Sequence, residues 1–239
     1  MRIFNRIYLE LNLLHKKIIS EKKYFSFSGV DIIIENIFKH QNKGIYIDVG
    51  CQHPIKNNNT YLLHKKGWSG INIDLDQDNI NLFNLSRSKD KNICIAASSS
   101  ISEKDLFFYH NKSPINTIDP KVSKYQKAKV KEIKKIKTNT LNNIFDSLII
   151  NENKIDLLSV DVEGHEMDVF YGLDFEKYSP DVIVVEFLDL SLSKIEISSQ
   201  NINRILESDL YKFIVSKNYT LVNFIYADLV FVKNSSNLN

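Results

Sequence analysis

The sequence predicts an α/β fold in which parallel strands alternate with helices and an antiparallel strand pair closes the chain. Three observations predict it: short apolar β-rich runs recur, most of them are followed by a helix-compatible segment, and the last two runs are closely spaced. Alternating strands and helices give a parallel sheet with right-handed crossovers. Two strands joined by only a few residues must instead be antiparallel.

The first half of the chain supplies three predicted core strands. Glycine and proline mark the ends of the apolar runs and so delimit the elements. In chain order, these are a strand at 44–50, a helix at 57–66, a strand at 71–74, a helix at 78–85, a strand at 92–97 and a strand-like run at 106–109. Pro114 and Pro120 then frame a loop containing Asn116 and Thr117, which we expect to carry specificity.

The second half returns to regular alternation. Its predicted elements are a helix at 140–148, a strand at 155–160 that ends at Asp161, a helix at 165–171, a strand at 182–186, a helix at 209–217 and strands at 220–225 and 229–232. The last two strands form the predicted antiparallel pair.

Composition indicates one ordinary globular domain. The chain has 239 residues, of which 43% are hydrophobic and 25% are charged, and a formal net charge of +2. So small a charge does not favour nucleic acid or a membrane surface as a partner. The two cysteines, Cys51 and Cys94, lack metal-ligand spacing and are interpreted as buried, reduced thiols, which fits the cytoplasm.

The N-terminal segment 1–23 is expected to be an amphipathic helix. Polar residues such as Asn5, Arg6 and Glu10 interrupt every apolar run that could span a bilayer or act as a signal sequence. We therefore expect the helix to pack on the domain or on a second subunit, with membrane docking as the alternative.

A glycine and acids mark the ends of the first two strands. Gly50 follows Asp48, and Asp74 ends the second strand, where an acid can accept hydrogen bonds from ribose hydroxyls. The segment after Gly50, Cys51-Gln52-His53-Pro54, lacks the further glycines that pyrophosphate binding requires. This disfavours a nicotinamide-dependent oxidoreductase. A nucleoside cofactor without pyrophosphate is predicted, and S-adenosylmethionine fits.

Three segments resemble the FkbM family of methyltransferases. They are 46–51 (Tyr-Ile-Asp-Val-Gly-Cys), 72–74 (Asn-Ile-Asp) and, most specifically, 159–166 (Ser-Val-Asp-Val-Glu-Gly-His-Glu). Thr140-Leu141 followed by a helix is also similar, and the resemblance extends from about Gly44 to Val232. The segment 52–60 departs from the commoner family pattern, which has a second glycine there.

The resemblance implies a Rossmann-like class I methyltransferase fold, S-adenosylmethionine as donor and methylation of oxygen, often in sugar, surface-polysaccharide or natural-product pathways. We therefore expect an N-terminal helical extension at 1–42 and a methyltransferase domain at 43–239. The expected cofactor-binding residues are Asp48, Gly50, Cys51, Thr60, Asp74, Ser98 and Asp161. The expected substrate-binding residues are Asn116, Thr117, Glu186 and Lys124.

Methyl transfer from sulfur to oxygen requires alignment of the two atoms and removal of the hydroxyl proton. His165 is the first candidate base, since imidazole has a pKa near ~6.5; an exposed histidine at a helix start is the alternative. His53 is the second candidate, or else a structural turn residue. Asp161 and Glu163 are expected to bind acceptor hydroxyls or to orient the base. His15, His40, His64 and His110 are expected to be structural or surface residues.

The acids also permit a mechanism that needs no protein base. Asp161 and Glu186 could hold Mg²⁺ against two substrate oxygens and lower the pKa of the hydroxyl. The sequence favours the histidine mechanism without a metal, and Mg²⁺ is kept as the alternative.

Eight lysines are concentrated between residues 121 and 137 and are offset there only by Glu132. They are Lys121, Lys124, Lys127, Lys129, Lys131, Lys134, Lys135 and Lys137. A solvated surface is the favoured interpretation, and an anion cradle for a phosphorylated substrate is the other.

The sequence thus predicts a cytoplasmic S-adenosylmethionine-dependent O-methyltransferase. Its expected acceptor is a sugar or nucleotide sugar, with no nucleic acid, no stable membrane insertion and a homodimer left open. The alternatives are a methyltransferase for a non-sugar natural product and a non-catalytic nucleoside-binding module of the same fold.

Overall fold

The computed structural model describes residues 24–111, 113–148, 154–189 and 200–236, together with Ile7 and Leu11. The strands are β1 (Ile45–Val49), β2 (Ser69–Asp74), β3 (Lys91–Cys94), β4 (Ala96–Ala97), β5 (Glu103–Phe108), β6 (Glu132–Asn139), β7 (Leu157–Val160), β8 (Val182–Glu186), β9 (Tyr219–Ile225) and β10 (Asp228–Lys233). The helices are α1 (Val30–Ile37), α2 (Tyr61–Lys65), α3 (Gln77–Ser86), α4 (Pro120–Tyr125), α5 (Leu141–Ser147), α6 (Glu166–Tyr171), α7 (Ile202–Glu207) and α8 (Asp209–Ser216).

Within these residues, seven strands form the main sheet in the order β3-β2-β1-β7-β8-β10-β9. Strands β3, β2, β1, β7 and β8 pair in parallel, whereas β10 pairs antiparallel with both β8 and β9. The predicted mostly parallel α/β fold with a C-terminal antiparallel strand is therefore confirmed. The chain moves outward from β1 to β3 and later returns beside β1 as β7, so the switch point lies between β1 and β7.

Alternation along the strands separates two apolar layers. On β1, Ile47 and Val49 join the cluster that contains helices α5, α6 and α8, while Tyr46 joins the cluster on the opposite face. Helix α1 covers that second face through Val30 and Ile34. The N-terminal helix expected over 1–23 lies almost wholly outside the described residues, and the domain boundary at residue 43 stays a prediction.

A helix cap and a short strand connection explain two predicted elements that the structure contains. Thr140 caps α5 by accepting a hydrogen bond from the Asn143 backbone N–H at 3.2 Å. Strands β9 and β10 are joined by the two residues Tyr226 and Ala227, as the predicted hairpin requires. No helix in the described ranges is long and apolar enough to cross a membrane.

The helix predicted at 57–66 is shorter than expected and begins only at Tyr61. The side chains of Asn58 and Thr60 hydrogen-bond Asp48 at 2.9 and 2.8 Å, and such bonds compete with the helical backbone. The strand predicted at 92–97 is also divided. Its first part, β3, pairs with β2 in the main sheet, and its second part, β4, pairs with β6 in a three-stranded sheet.

The lysine-rich segment contains a strand that sequence reasoning did not predict. Strand β6 pairs antiparallel with β5, and most of its side chains are exposed or half-buried. Hydrophobic patterning is weak in a strand that buries little, which is why it was missed.

The prediction that both cysteines are buried is wrong for Cys94. Cys51 is buried, whereas Cys94 is exposed. Cys94 lies on β3, which is an edge strand of the main sheet among the described residues.

Candidate functional site

A cleft opens at the carboxyl ends of the strands around the switch point. Its walls come from the ends of β1, β2, β4 and β7 and from the loop at 113–118. The sequence-predicted site residues that line it are Gly50, Asp74, Asn116, Asp161, Glu163 and His165. Residues predicted from opposite halves of the chain therefore meet in one cavity.

Gly50 lets the ends of β1 and β7 approach each other closely. Its φ is +80°, and a Cβ at this position would lie 1.7 Å from the backbone oxygen of Asp161. The Asp161 N–H donates to the Val49 carbonyl at 2.9 Å, which fixes the two strand ends side by side. Only glycine combines this positive φ with so close a contact. A glycine is therefore needed at position 50 for β1 and β7 to form this part of the cleft.

Asp74 holds the rim of the cleft together. Its carboxylate accepts hydrogen bonds from the Gln52 N–H at 2.8 Å, the Asp76 N–H at 2.7 Å and the Asn79 amide at 3.1 Å. Burial raises the pKa of Asp74 to about 6, and these donors partly offset that rise. A carboxylate has about four acceptor sites, so Asp74 keeps about one for a ligand.

Several lining residues were not predicted as site residues. They are Gln52, Asn57, Asp76, Asn79 and Ser113, together with apolar neighbours. Asp76 could have been found from the pattern Asp74-Leu75-Asp76, because two acids flank the turn into α3. Gln52 has a φ of +48°, a conformation that the sequence does not reveal.

The structure does not bring Asp48, Cys51 or Thr60 to the cleft lining. Asp48 follows Tyr46 in the alternation of β1, so its side chain lies on the α1 face of the sheet. It accepts hydrogen bonds from Asn58 and Thr60, both of which are buried. These residues therefore anchor the loop 52–60 beneath the cleft.

Arg87 is the centre of that anchor and was missed by the sequence analysis. Its side chain is fully buried, and its guanidinium donates to the carbonyl of Pro54, to Asn58 Oδ1 at 2.7 Å and to Thr60 Oγ1 at 2.9 Å. The same group donates to the Tyr46 hydroxyl at 3.2 Å. The Arg87 guanidinium thus connects the loop, β1 and the end of α3. The sequence offered one indication of this role, because Arg87 is one of only four arginines in a chain rich in lysine.

His165 lines the cleft, yet its ring is almost entirely buried. Its Nε2 lies 3.0 Å from Ser98 Oγ and 3.1 Å from Lys104 Nζ, and its Nδ1 lies 3.6 Å from Asp168 Oδ2. Burial lowers the pKa of His165, with Asp168 opposing and Lys104 reinforcing the shift. The ring is therefore neutral near pH 7, and the alternative of an exposed helix-start histidine does not hold.

Ser98 and His53 are placed differently from the expectation. Ser98 is fully buried against His165 and does not line the cleft. His53 Nδ1 accepts the backbone N–H groups of Ile55 and Lys56 at 3.1 and 3.0 Å, which is the geometry of a structural turn.

The remaining histidines agree with the expectation of structural or surface roles. His64 Nδ1 lies 3.3 Å from the Tyr46 hydroxyl, whereas His40 and His110 are exposed. His15 lies outside the described residues.

Three carboxylates meet at the ends of β7 and β8, and we call Asp161, Glu163 and Glu186 the acidic rim. Their nearest ligand atoms all lie within 4.8 Å of one another. Burial raises the pKa of each of them, and the neighbouring Glu166 carboxylate adds to each rise; Asp161 adds to the rise for Glu163 and Glu186. Asp161 and Glu186 are hydrogen-bonded to each other.

A second groove adjoins the acidic rim at Glu186. Glu186 and Gly164 line it together with Asp119 and Lys121 of the α4 region. Val122 of α4 contacts the turn directly, because a Cβ on Gly164 would lie 2.2 Å from its Cγ2. Asp161 and Glu163 line the first cleft, whereas Glu186 lines this groove, so the two cavities reach different members of the acidic rim.

The other predicted acceptor residues flank this region. Thr117 is buried and its hydroxyl donates to the Glu163 carbonyl at 2.8 Å, whereas Asn116 holds the loop through the Tyr109 N–H. Lys124 is exposed on α4 and lines neither cavity. Lys135 pairs with Asp105 at 2.6 Å and Lys134 with Glu132 at 3.5 Å, so part of the lysine cluster is a solvated, paired surface.

In a comparison with known families, the model described as "Methyltransferase FkbM domain" aligns with residues 48–213. These residues include both sides of the switch point. Comparison with curated proteins gives no match.

Two solved structures are similar over much of the chain. A methyltransferase FkbM from Methylobacillus flagellatus KT has 14% identity and a TM-score of 0.48, covering 80% of this chain and 44% of that one. Monomeric WbdD has 12% identity and a TM-score of 0.43, covering 95% of this chain and 44% of that one. The chain spans less than half the length of either structure.

Proposed function

The chain belongs to the FkbM methyltransferase family, and from this premise we propose that it transfers the methyl group of S-adenosylmethionine to a hydroxyl of a sugar or nucleotide sugar. The observation that carries the proposal is the cleft at the switch point. It brings together the Gly50 turn, Asp74 as an acceptor for ribose hydroxyls, and the acidic rim. A cytoplasmic location and a homodimer stay predictions from the sequence.

The donor would occupy the first cleft. Asp74 offers one remaining acceptor site to a ribose hydroxyl, and Asp76 lies beside it for the second hydroxyl. The amino-acid tail would lie over the Gly50 turn, where no side chain obstructs it. Asp161 and Glu163 line the same cleft, and their carboxyl groups would favour the positive charge of the sulfonium.

The acceptor would occupy the second groove, with its hydroxyl at the acidic rim. In the reaction the bond from sulfur to the methyl carbon breaks as the bond from the acceptor oxygen forms, leaving a neutral thioether. The hydroxyl proton passes to Nε2 of His165, a neutral imidazole with Asp168 near its other nitrogen. Ser98 and Lys104 must yield Nε2 to the acceptor when it binds.

Replacing Asp74 should weaken cofactor binding. Asp74→Ala removes an acceptor for ribose and frees the Gln52 and Asp76 N–H groups. A buried hydrogen-bonded carboxylate of this kind contributes about 1–3 kcal/mol, so the dissociation constant of S-adenosylhomocysteine should rise by roughly 5- to 150-fold. Calorimetric titration measures the change.

The matched control is Asp105→Ala, which removes an exposed carboxylate on β5. The pH dependence gives a second readout, because the pKa of Asp74 is raised to about 6. Below pH 6 the carboxyl is protonated and loses acceptor capacity, so affinity should fall with pH there and stay level above it. Equal affinity of Asp74→Ala and wild type would remove this residue from the site.

A charge-removal variant tests whether the lysines near α4 bind a phosphorylated acceptor. If the acceptor is a nucleotide sugar, Lys124→Gln/Lys127→Gln/Lys129→Gln should raise its KM at low salt by about 3- to 10-fold. The KM of a neutral sugar should not change, and the difference should disappear at high salt. Equal KM values at low salt would support a purely solvated surface.

The proposed activity is tested by incubating the protein with trideuteromethyl-labelled S-adenosylmethionine and a panel of sugars and nucleotide sugars. Mass spectrometry should detect one labelled methyl group on the acceptor and equimolar S-adenosylhomocysteine. Binding of the donor without transfer to any sugar-type or natural-product hydroxyl would instead support the non-catalytic module.

A further inference from the structure

The acidic rim is assembled from two strand ends. Asp161 directly follows β7, Glu186 ends β8, and Glu163 is turned toward them by a left-handed backbone with φ of +56°. The nearest ligand atoms of these three acidic groups lie within 4.8 Å of one another in a partly buried place.

Within the described residues, the rim has a hydrogen bond between Asp161 and Glu186 but no ion pair with a basic side chain. Across the described ranges, no lysine or arginine forms an ion pair with Asp161, Glu163 or Glu186. In addition, Glu186 Oε2 is a buried atom with no hydrogen-bond partner in the described structure. A buried carboxylate oxygen without a partner is costly, so this atom points to a ligand that completes the site.

The spacing and donor type fit a hard divalent cation. Oxygens bound to one Mg²⁺ at about 2.1 Å are at most about 4.2 Å apart, and those on Ca²⁺ at about 2.3–2.6 Å are at most about 4.6–5.2 Å apart. The observed limit of 4.8 Å falls within the Ca²⁺ span and exceeds the Mg²⁺ span by about 0.6 Å, so the side chains must draw together to bind Mg²⁺. Small side-chain rotations would close the site around either ion.

We propose that Asp161, Glu163 and Glu186 bind one divalent cation of the Mg²⁺ type, and that the cation also binds two neighbouring oxygens of the acceptor. The second part rests on the proposed methyltransferase function, whereas binding of the cation does not. The cation lies where the donor cleft and the acceptor groove adjoin, so it holds the acceptor oxygen beside the methyl group.

The cation assists the reaction without changing its balance. It polarises the bound hydroxyl and lowers the pKa of that group, while the proton still passes to His165 Nε2 and the methyl group moves from sulfur to oxygen. Since Mg²⁺ usually keeps several waters and binds through few carboxylates, two acceptor oxygens can replace waters in its shell. Vicinal oxygens are the arrangement that sugars provide.

Binding is tested with Mn²⁺ alone as a paramagnetic probe, titrated into the full chain up to about 1 mM. Wild type should bind one Mn²⁺ that Mg²⁺ displaces, and Glu163→Gln and Glu186→Gln should each weaken binding by about tenfold or more. Glu132→Gln, an exposed change on β6, is the matched control and should bind as wild type does. No Mn²⁺ binding by wild type, or equal binding by the rim variants, overturns the site.

Measurements on wild type keep the test independent of whether the variants fold. Chelation should abolish methyl transfer, Mg²⁺ should restore it, and S-adenosylhomocysteine should still bind the chelated protein. Full turnover after chelation overturns the cation site and leaves the methyltransferase function intact. Failure to bind S-adenosylhomocysteine at all overturns the proposed function, whereas the Mn²⁺ titration still decides the cation site.

Discussion

His165→Ala should lower kcat by about 10²- to 10⁴-fold, the usual contribution of a general base. The ring is neutral, borders the donor cleft and has Asp168 beside Nδ1, so its Nε2 lone pair is the proposed proton acceptor. The dissociation constant of S-adenosylhomocysteine should stay nearly constant, because the side chain is not assigned to the donor. Single-turnover kinetics and calorimetry separate the two effects.

The control is His40→Ala, which removes an exposed histidine after α1 and should leave kcat unchanged. Wild type should also lose activity as the pH falls through the lowered pKa of His165, since the protonated ring cannot accept a proton. The variant should lack this acid limb. Turnover within a few-fold of wild type would show that His165 only positions Ser98 and Lys104, and that another group removes the proton.

Arg87→Met should lower the free energy of unfolding by about 3–5 kcal/mol. The variant removes the donors to the Pro54 carbonyl, Asn58 and Thr60 and leaves the buried Asp48 without nearby positive charge. Urea denaturation followed by circular dichroism measures the loss. Donor affinity should fall as well, because the loop that contains Gln52 and Asn57 loses its anchor.

Two companion variants sharpen this test. Arg204→Met removes an arginine whose pairing with Asp189 is partly exposed, and it should cost about 1 kcal/mol or less. Arg87→Lys keeps the charge but cannot reproduce the guanidinium fork, so its stability should fall between wild type and Arg87→Met. If Arg87→Met unfolds at the same urea concentration as wild type, the anchor role is wrong.

The sequence was sufficient for the main sheet because its central strands are apolar on both faces. β1, β7 and β8 lie within the predicted runs, and β2 begins two residues before its predicted run. The hairpin followed from the short spacing of its strands. Strand β6 was missed because its side chains are largely exposed. The division of 92–97 between β3 and β4 depends on a second sheet, which no local pattern indicates.

The sequence predicted those site residues that stand at or just after the end of a strand. Gly50, Asp74, Asp161, Glu163 and His165 follow or end strands, and all line the cleft. Asp48 was assigned to the cofactor site from its motif. Side chains alternate between the two faces of a strand, so Asp48 and its neighbour Val49 lie on opposite faces. The contacts of Ser98 and Arg87 depend on tertiary packing and could not be obtained from spacing.

The cleft at the switch point must bind S-adenosylmethionine if this chain is the methyltransferase proposed above. Calorimetric titration of the protein with S-adenosylhomocysteine, with NAD⁺ titrated in parallel, tests this claim. We expect saturable binding of one S-adenosylhomocysteine per chain, lost or greatly weakened in Asp74→Ala, and no binding of NAD⁺. Binding of NAD⁺ with none of S-adenosylhomocysteine, or no binding of either, would contradict the account.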